Sequence, residues 1–305
     1  MMNDTVTDAP AMEPTAAGRQ ARLAQVLACP ACHAPLQLDG GEIVACAACG
    51  HTGKRLWKNG SGQLKFGGFD SEELTADALN RIKEHVKKRF NKVYPTAIKV
   101  LSPVMDRNLI MPFLRSFNLE HDLVADFGCG THRRDQRVIC MDGGTYPNVD
   151  IVTDLRRLPL AEGSLAGGIS IAVLEHVPDP AAHIAEMHRV LRPGGRMLVF
   201  VPFMQPFHAS PYDFQRYTEV GLREQFPQFE VLSVKVGAGP TSGMLWTLQE
   251  WLAMLLSFGS MRLYRAILPL TWILSPLKLL DLLLAHHPAA AVTASGFVIE
   301  VRKPA

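Results

Sequence analysis

The chain lacks an uncharged apolar run of the roughly 20 residues that a bilayer-spanning helix needs. Its greasiest stretch, residues 244–286, is interrupted by Arg262, Arg265, Lys278 and Asp281, and Pro269 and Pro276 are expected to break it. It also lacks a strong charge of one sign. The net charge is +2 over 305 residues, and nucleic-acid binding usually goes with a larger or clustered basic excess. Residues 1–23 have neither the basic start nor the apolar core of a secretory signal, and Ala, Thr and Pro dominate them around Asp4, Asp8 and Glu13. A disordered tail over 1–24 is expected. Cysteine is scarce outside one cluster: of six in all, only Cys129 and Cys140 stand alone. That argues against a secreted disulfide framework and for a cytosolic location.

The cluster is Cys29-Pro30-Ala31-Cys32 with Cys46-Ala47-Ala48-Cys49. Two CxxC pairs at this spacing can form two knuckles that offer four thiolates to one tetrahedral Zn2+. Residues 35–38 and 42–44 would be hairpin strands turned at Asp39-Gly40-Gly41, and Gly50 would follow the second knuckle. Two disulfides, free thiols or a redox pair are the alternatives. A segment of this size, 25–66, buries too little apolar surface to fold unaided, so metal binding would supply its folding energy. Four thiolates would close the metal shell and make the site structural. The ribbon is expected to have a core separate from that of the main sheet.

Residues 71–92 read as an exposed helix capped by Ser71, with a basic second half from Arg81 to Lys92. This helix belongs to a helical lead-in over 67–120. Five apolar runs then alternate with loops or helices. Val124–Phe127 ends in Asp126-Phe127-Gly128-Cys129-Gly130; residues 137–142 end at Asp142; residues 151–154 end at Asp154; residues 168–174 run into Glu175-His176; and residues 196–200 come after Arg192-Pro193-Gly194-Gly195. An apolar strand that stops at an acid and breaks into glycines is how a parallel strand ends at a ligand crevice. Sixth and seventh strands are expected at 229–238 and 295–302. The fold class is therefore α/β: a Rossmann-like, mostly parallel seven-stranded sheet over 121–305 with helices on both faces, and a helical insertion at 243–290 before the last strand.

The run of Asp126-Phe127-Gly128-Cys129-Gly130, Asp154-Leu155, Leu174-Glu175-His176-Val177 and Leu191-Arg192-Pro193-Gly194-Gly195 resembles the class I S-adenosylmethionine-dependent methyltransferases, type 11 in particular, over residues 120–236. The resemblance implies S-adenosyl-L-methionine as cofactor. Asp142 would accept from the ribose hydroxyls and Asp154 from the adenine amino group, with Leu155 alongside. Asp126 would lie near the methionine ammonium, and Gly128 and Gly130 would let the chain close over the methionine part. Two departures stand out. Thr131-His132 replaces a customary third glycine, and six residues separate Gly130 from Arg137, too few for a helix of several turns. The cysteine segment is similar to zinc ribbons that precede some bacterial methyltransferases, ribosomal RNA methyltransferases among them.

Residues 202–218 interleave prolines and aromatics with His208, Asp213 and Arg216. Leaving the end of the fifth strand, this loop should overhang the crevice. It resembles a segment of a methyltransferase subgroup associated with glycan and envelope chemistry. His208, His176 and Asp213 are the candidate catalytic groups, His208 first as general base, with Asp213–Arg216 pairing to order the loop. The expected reaction is methylation of a hydroxyl on a small, glycan or lipid-linked acceptor. Residues 243–286 are read as a cap over the site, a peripheral membrane contact or a dimer surface. An RNA base methyltransferase, with RNA held by the ribbon and basic helix, is the alternative; nucleic acid is not favoured, because no Asn/Asp-Pro-Pro-Tyr-like motif comes after the fourth strand. A non-catalytic interaction module is the other alternative.

Overall fold

The computed structural model describes residues 21–36, 43–58, 61–67, 107–208 and 212–305. The expected tail up to residue 20, the turn at Asp39-Gly40-Gly41, the basic helix at 71–92 and most of the lead-in fall outside the described residues.

The strands are β1 (Ile43–Ala45), β2 (Thr52–Lys58), β3 (Ser61–Lys65), β4 (Val124–Phe127), β5 (Ile139–Asp142), β6 (Ile151–Val152), β7 (Leu165–Ile171), β8 (Leu191–Pro202), β9 (Glu230–Ala238) and β10 (Gly296–Arg302). They form one sheet in the order β1-β2-β3-β6-β5-β4-β7-β8-β10-β9. From β6 to β8 all pairings are parallel, while β10 runs antiparallel to both β8 and β9. The last seven strands are thus the expected Rossmann-like sheet. Strand order reverses between β4 and β7, where Asp126 pairs with Ile169. In open α/β sheets that reversal opens a ligand crevice beyond the strand C-termini. The central strands β4 and β7 are near-continuous apolar runs, buried along almost their whole length, as strands covered on both faces must be.

The sheet does not end at β6. Strand β3 of the cysteine segment pairs parallel with β6, Leu64 against Ile151 and Lys65 against Val152. Further back, Leu27 bridges Leu160, and Ala28 N–H donates to the Pro159 carbonyl at 3.1 Å. Leu23, Leu27, Cys29, Cys46 and Leu64 belong to the same buried cluster as Phe127, Leu158, Leu160 and Leu165. The expectation of separate cores is therefore corrected: β6 has two residues, and its free edge and apolar side are covered by the ribbon.

Helix α1 (Arg107–Arg115) precedes β4, and α2 (Pro180–Val190) joins β7 to β8. Asp179 caps α2 by accepting from Ala182 N–H at 3.1 Å, and Pro180 fits the first turn, where no N–H partner is needed. The buried face of α2 carries His183, Ile184, Met187 and Val190. Helix α3 (Glu219–Glu224), capped by Thr218, leads into β9.

The insertion is α4 (Pro240–Leu256), α5 (Met261–Thr271), a 3-10 stretch (Trp272–Leu280) and α6 (Asp281–Leu284). Pro269 and Pro276 do not break it. The 3-10 pattern carries the helical path on, so that Met261–Leu284 is a continuous 24-residue helix, long and apolar enough to cross a membrane, with an 18-residue window of mean hydropathy 1.7 of which only 17% is buried. Asp281 does not interrupt its apolar surface either. It is 1% exposed and caps α4, taking Thr241 N–H at 2.7 Å, Ser242 N–H at 2.8 Å and the Ser242 hydroxyl at 2.6 Å.

Candidate functional site

Gly128 and Gly130 turn the chain sharply out of β4. Both have positive φ, +82° and +57°, and a Cβ on Gly128 would sit 2.3 Å from Val173 Cγ2. A Cβ on Gly130 would meet nothing within 4 Å, so open space lies beside that backbone, as a cradle requires. Between Gly130 and β5 the chain makes turns and no helix. Three arginines hold this short loop. Arg133 pairs with Asp150 at 2.7 Å, Arg134 with Asp126, and Arg137 with Asp135 and Glu120, both at 2.8 Å.

Asp126 has no exposed surface. Arg134 donates to one of its oxygens, and the other, Oδ1, has no hydrogen-bond partner. Burial pushes its carboxyl up to about 6, against the pull of Arg134. Asp142, at the end of β5, takes Gly130 N–H and Gly144 N–H at 2.8 Å each. Burial raises its pKa despite these bonds. It therefore braces the glycine turn, while each carboxylate oxygen keeps a lone pair for a hydroxyl. Asp154 lies at the rim and is held by Arg156, whose Nη2 is 2.7 Å from Oδ2. Burial works to raise the Asp154 pKa, but Arg156 wins and lowers it. The Leu155 carbonyl accepts from His183 Nδ1 at 2.8 Å, from an imidazole that burial keeps neutral by lowering its pKa to about 4. An orphaned buried acid oxygen, open glycine backbone and strand-end acids fit a cofactor with a cationic methionine part and a ribose.

A second group of side chains converges at the ends of β7 and β8. Ala172, after β7, has φ +56°, uncommon for a residue with a Cβ. The turn it makes presses Val173 against Gly128 and starts a single 3-10 turn, Leu174–His176. That turn aims Glu175 inward. Glu175 has no exposed surface, and neither carboxylate oxygen has a hydrogen-bond partner. Burial pushes its pKa up to about 8. His176 Nδ1 faces the Tyr212 carbonyl at 2.5 Å, and burial lowers the pKa of its ring to about 4.

The loop after β8 closes over this turn. Phe214 N–H donates to the Glu175 carbonyl at 2.8 Å, and Gln215 Nε2 donates to the Leu174 and Val177 carbonyls at 2.7 and 3.2 Å. Asp213 and Arg216 form a bidentate pair, and Asp213 also takes His208 N–H at 2.8 Å. Burial opposes the charge on Asp213, yet Arg216 and that N–H lower its pKa. His208 Nε2 is 3.9 Å and His176 Nε2 is 3.7 Å from Glu175 Oε1. The two imidazoles meet edge to face at 5.4 Å, and Trp246 of α4 lies 5.4 Å from the His208 ring. His208, His176 and Asp213 are thus brought together. Glu175 was missed as a site residue, and its only signal was a carboxylate beside a histidine at a strand end. Arg134, Gln215 and Trp246 were missed as well, since nothing in their spacing marks them.

The four cysteines form a third constellation. All are free thiols, and Cys29–Cys49 and Cys32–Cys46 each have sulfurs 3.6 Å apart. A disulfide would put sulfurs about 2.05 Å apart, whereas a tetrahedron of Zn–S bonds about 2.3 Å long puts them close to the observed spacing. The backbone supports the cluster: Ala31 N–H points at Cys29 Sγ, 3.4 Å away, and His33 and Gly50, each just past a knuckle, adopt φ +61° and +73°. The donor set fits Zn2+.

Residues 134–199 match the family described as Methyltransferase domain. A "Probable S-adenosylmethionine-dependent methyltransferase" of Mycolicibacterium smegmatis is 32% identical over 117 residues, covering 34% of this chain and 46% of that protein. An "Uncharacterized 37.1 kDa protein in transposon TN4556" of Streptomyces fradiae is 46% identical over 57 residues, 18% of this chain and 16% of its own length. The chain thus spans less than half the length of either curated relative. Among solved structures, phosphoethanolamine N-methyltransferase 2 of Haemonchus contortus, in complex with S-adenosyl-L-methionine, overlays with a TM-score of 0.40 at 14% identity, covering 72% of this chain and 60% of that one. So loose an overlay bears on no residue's role. Residues 134–199 thus match a methyltransferase domain, and the strand-end acids and the glycine turn at the sheet's reversal point are similar to those of class I S-adenosylmethionine-dependent methyltransferases.

Proposed function

We propose that the protein transfers the methyl group of S-adenosylmethionine to a hydroxyl of a small, glycan or lipid-linked acceptor. The observation that carries this is the meeting of two half-sites at the strand ends: Asp126 with an orphaned oxygen beside an open glycine turn, and the Glu175–His176–His208 cluster under the loop after β8. In this reading Asp126 faces the methionine ammonium, Gly128 and Gly130 admit the methionine part, Asp142 takes the ribose, and Asp154 with Leu155 borders the adenine. When bound, the cofactor supplies an electrophilic methyl on a sulfonium. The chain's part is to align the acceptor oxygen with it and to remove the hydroxyl proton. His208 and His176 face the acceptor, and Asp213 and Arg216 fix the loop that presents His208.

Trp246 joins the site to the insertion, whose outer surface exposes Met254, Phe258, Leu270, Ile273 and Leu283 among others, Phe258 at 89%. Arg262 and Arg265 on α5 suit an anionic lipid surface. An acceptor carried on a lipid would reach the crevice along that face, with the protein cytoplasmic and peripherally bound to the membrane. The four cysteines hold one structural Zn2+ in this reading.

The test has three parts. Methyl-labelled cofactor is incubated with the protein and fractionated glycan, lipid and RNA pools; label in a hydroxyl of the lipid or glycan pool is expected, and label in RNA alone would overturn the reading in favour of a nucleic-acid substrate. His208→Ala should lower turnover about 10²–10⁴-fold with cofactor binding intact. Flotation with anionic phospholipid vesicles reads the membrane face, and recovery that needs detergent rather than salt or carbonate would mean the insertion spans the bilayer.

A further inference from the structure

We propose that Glu175, His176 and His208 form a second metal site, distinct from the four-cysteine cluster, for a divalent first-row cation such as Zn2+ or Mn2+ beside the acceptor. Their ligand atoms all lie within 4.8 Å of one another. The inference rests on the methyl-transfer reading only for its role, not for its geometry.

Two independent features point to a cation. The first is the fate of Glu175. A buried carboxyl group without a partner is costly, and it is normally neutralised, paired or bound to a metal. Here both oxygens are buried and without a hydrogen bond, and the two nearest polar atoms of the cluster are ring nitrogens at 3.7 and 3.9 Å, too far to donate and suitably placed to share a metal ion. The second is the way the imidazoles are held. A metal-bound histidine commonly donates its other ring N–H to a carbonyl or carboxylate, which fixes its tautomer. His176 Nδ1 is 2.5 Å from the Tyr212 carbonyl and His208 Nδ1 is 3.0 Å from the Pro206 carbonyl. Arg216 Nη2 also lies 3.2 Å from His208 Nδ1 and would donate to it in the other tautomer, so the carbonyl fixes the tautomer of His176 alone. Both rings turn Nε2 toward Glu175, and on His176 that nitrogen carries the lone pair.

Two imidazoles and one carboxylate suit first-row divalent ions, and three protein ligands leave positions open. An acceptor hydroxyl held at an open position would be more acidic than in water. In this role the two imidazoles act as ligands and not as the base: the metal-acidified hydroxyl loses its proton to solvent, its oxygen takes the methyl carbon, and the pair of the broken carbon–sulfur bond returns to sulfur.

The test uses the full chain, stripped of metal and reloaded with Co2+. The wild type should take up about two equivalents, one with the intense sulfur-to-cobalt charge-transfer band of thiolate ligation and one without it. Glu175→Gln and, separately, His176→Ala should each take up about one, with the thiolate band unchanged. That retained band shows that the variants are folded. One equivalent in the wild type, or two in both variants, would overturn the proposal. Calorimetry of S-adenosylmethionine binding to the wild type, run alongside, judges the methyl-transfer reading separately: two cobalt ions without cofactor binding would sink that reading and leave the metal site standing.

Discussion

Asp126 should make the protein less stable at neutral pH than it could be. Its folded pKa of about 6 lies above the ordinary aspartate value of 3.8, because burial outweighs Arg134. The folded state therefore binds a proton that the unfolded chain has already lost between those two values. Its contribution to stability is fully present below pH 3.8 and is lost as pH rises through 6. The whole loss is about 3 kcal/mol, from about 1.4 kcal/mol per unit, and about half of it falls between pH 5 and 7.5. Asp126→Asn removes the titration and keeps the shape. Urea unfolding of both proteins at pH 5 and 7.5 should show the variant gaining about 1.5 kcal/mol on the wild type across that interval, with unchanged m.

Comparing two pH values within each protein cancels what the substitution does to the Arg134 pair at fixed pH, and it cancels other titrating groups, the cysteines included. If the variant tracks the wild type in parallel, Asp126 is ionised at pH 5 in the folded state, and the argument from burial fails. The same variant should bind S-adenosylmethionine more weakly by about 1–3 kcal/mol in calorimetry, the range for removing a charged partner from a buried contact. Gain in stability with loss of binding is the signature of an acid kept for its ligand.

The packing sets three further outcomes. Gly128→Ala, with φ +82° and Val173 in the way, should abolish measurable cofactor binding and lower stability by about 2–3 kcal/mol, while Gly130→Ala, in open space, should cost only about 1 kcal/mol; Val173→Ala should partly rescue the first and not the second. Cys46→Ser should lower the melting temperature of the whole chain in one transition, since the ribbon and the sheet share a buried cluster; an unchanged main transition in calorimetry would show that the two are independent. Asp281→Ala removes three accepted hydrogen bonds at the start of α4 and should loosen the insertion by about 2–4 kcal/mol, read by the fluorescence of Trp246, Trp251 and Trp272.

Local pattern was legible in the sequence. Apolar runs marked β4 to β8, the first three of them ending in acids, because a strand covered on both faces has little room for polar side chains, and the CxxC spacing marked the knuckles. The long-range pairings had no such signal. β3 meets β6 through backbone groups that any residue provides, so no side chain announced that the ribbon would extend the sheet. The arginines that pin the loop after β4 looked like solvated charge until their partners came from other segments. Reading Pro269 and Pro276 as breaks also failed. Proline removes one N–H, and a 3-10 turn can absorb that loss without ending the helical path. Asp281 looked like an interruption of an apolar segment, although it is buried under the first turn of α4, 40 residues earlier in the chain.

Among the described residues, the three acids with the least exposure sort themselves by their hydrogen bonds. Asp281 accepts three, from donors that exist only because α4 starts there, so its charge is matched within the fold and its role is structural. Asp126 is half matched, with Arg134 on one oxygen and nothing on the other. Glu175 has no hydrogen bond on either oxygen. Burying an unmatched acid works against folding, so each such oxygen is a place where selection has kept something other than stability. Both lie on the line where the sheet reverses its strand order, Asp126 at the end of β4 and Glu175 just past β7, and the glycine turn and the loop after β8 close on them from either side. The deficit grows along that line from Asp126 to Glu175. A cationic methionine moiety would make up the first part of it, and a divalent ion would make up the second.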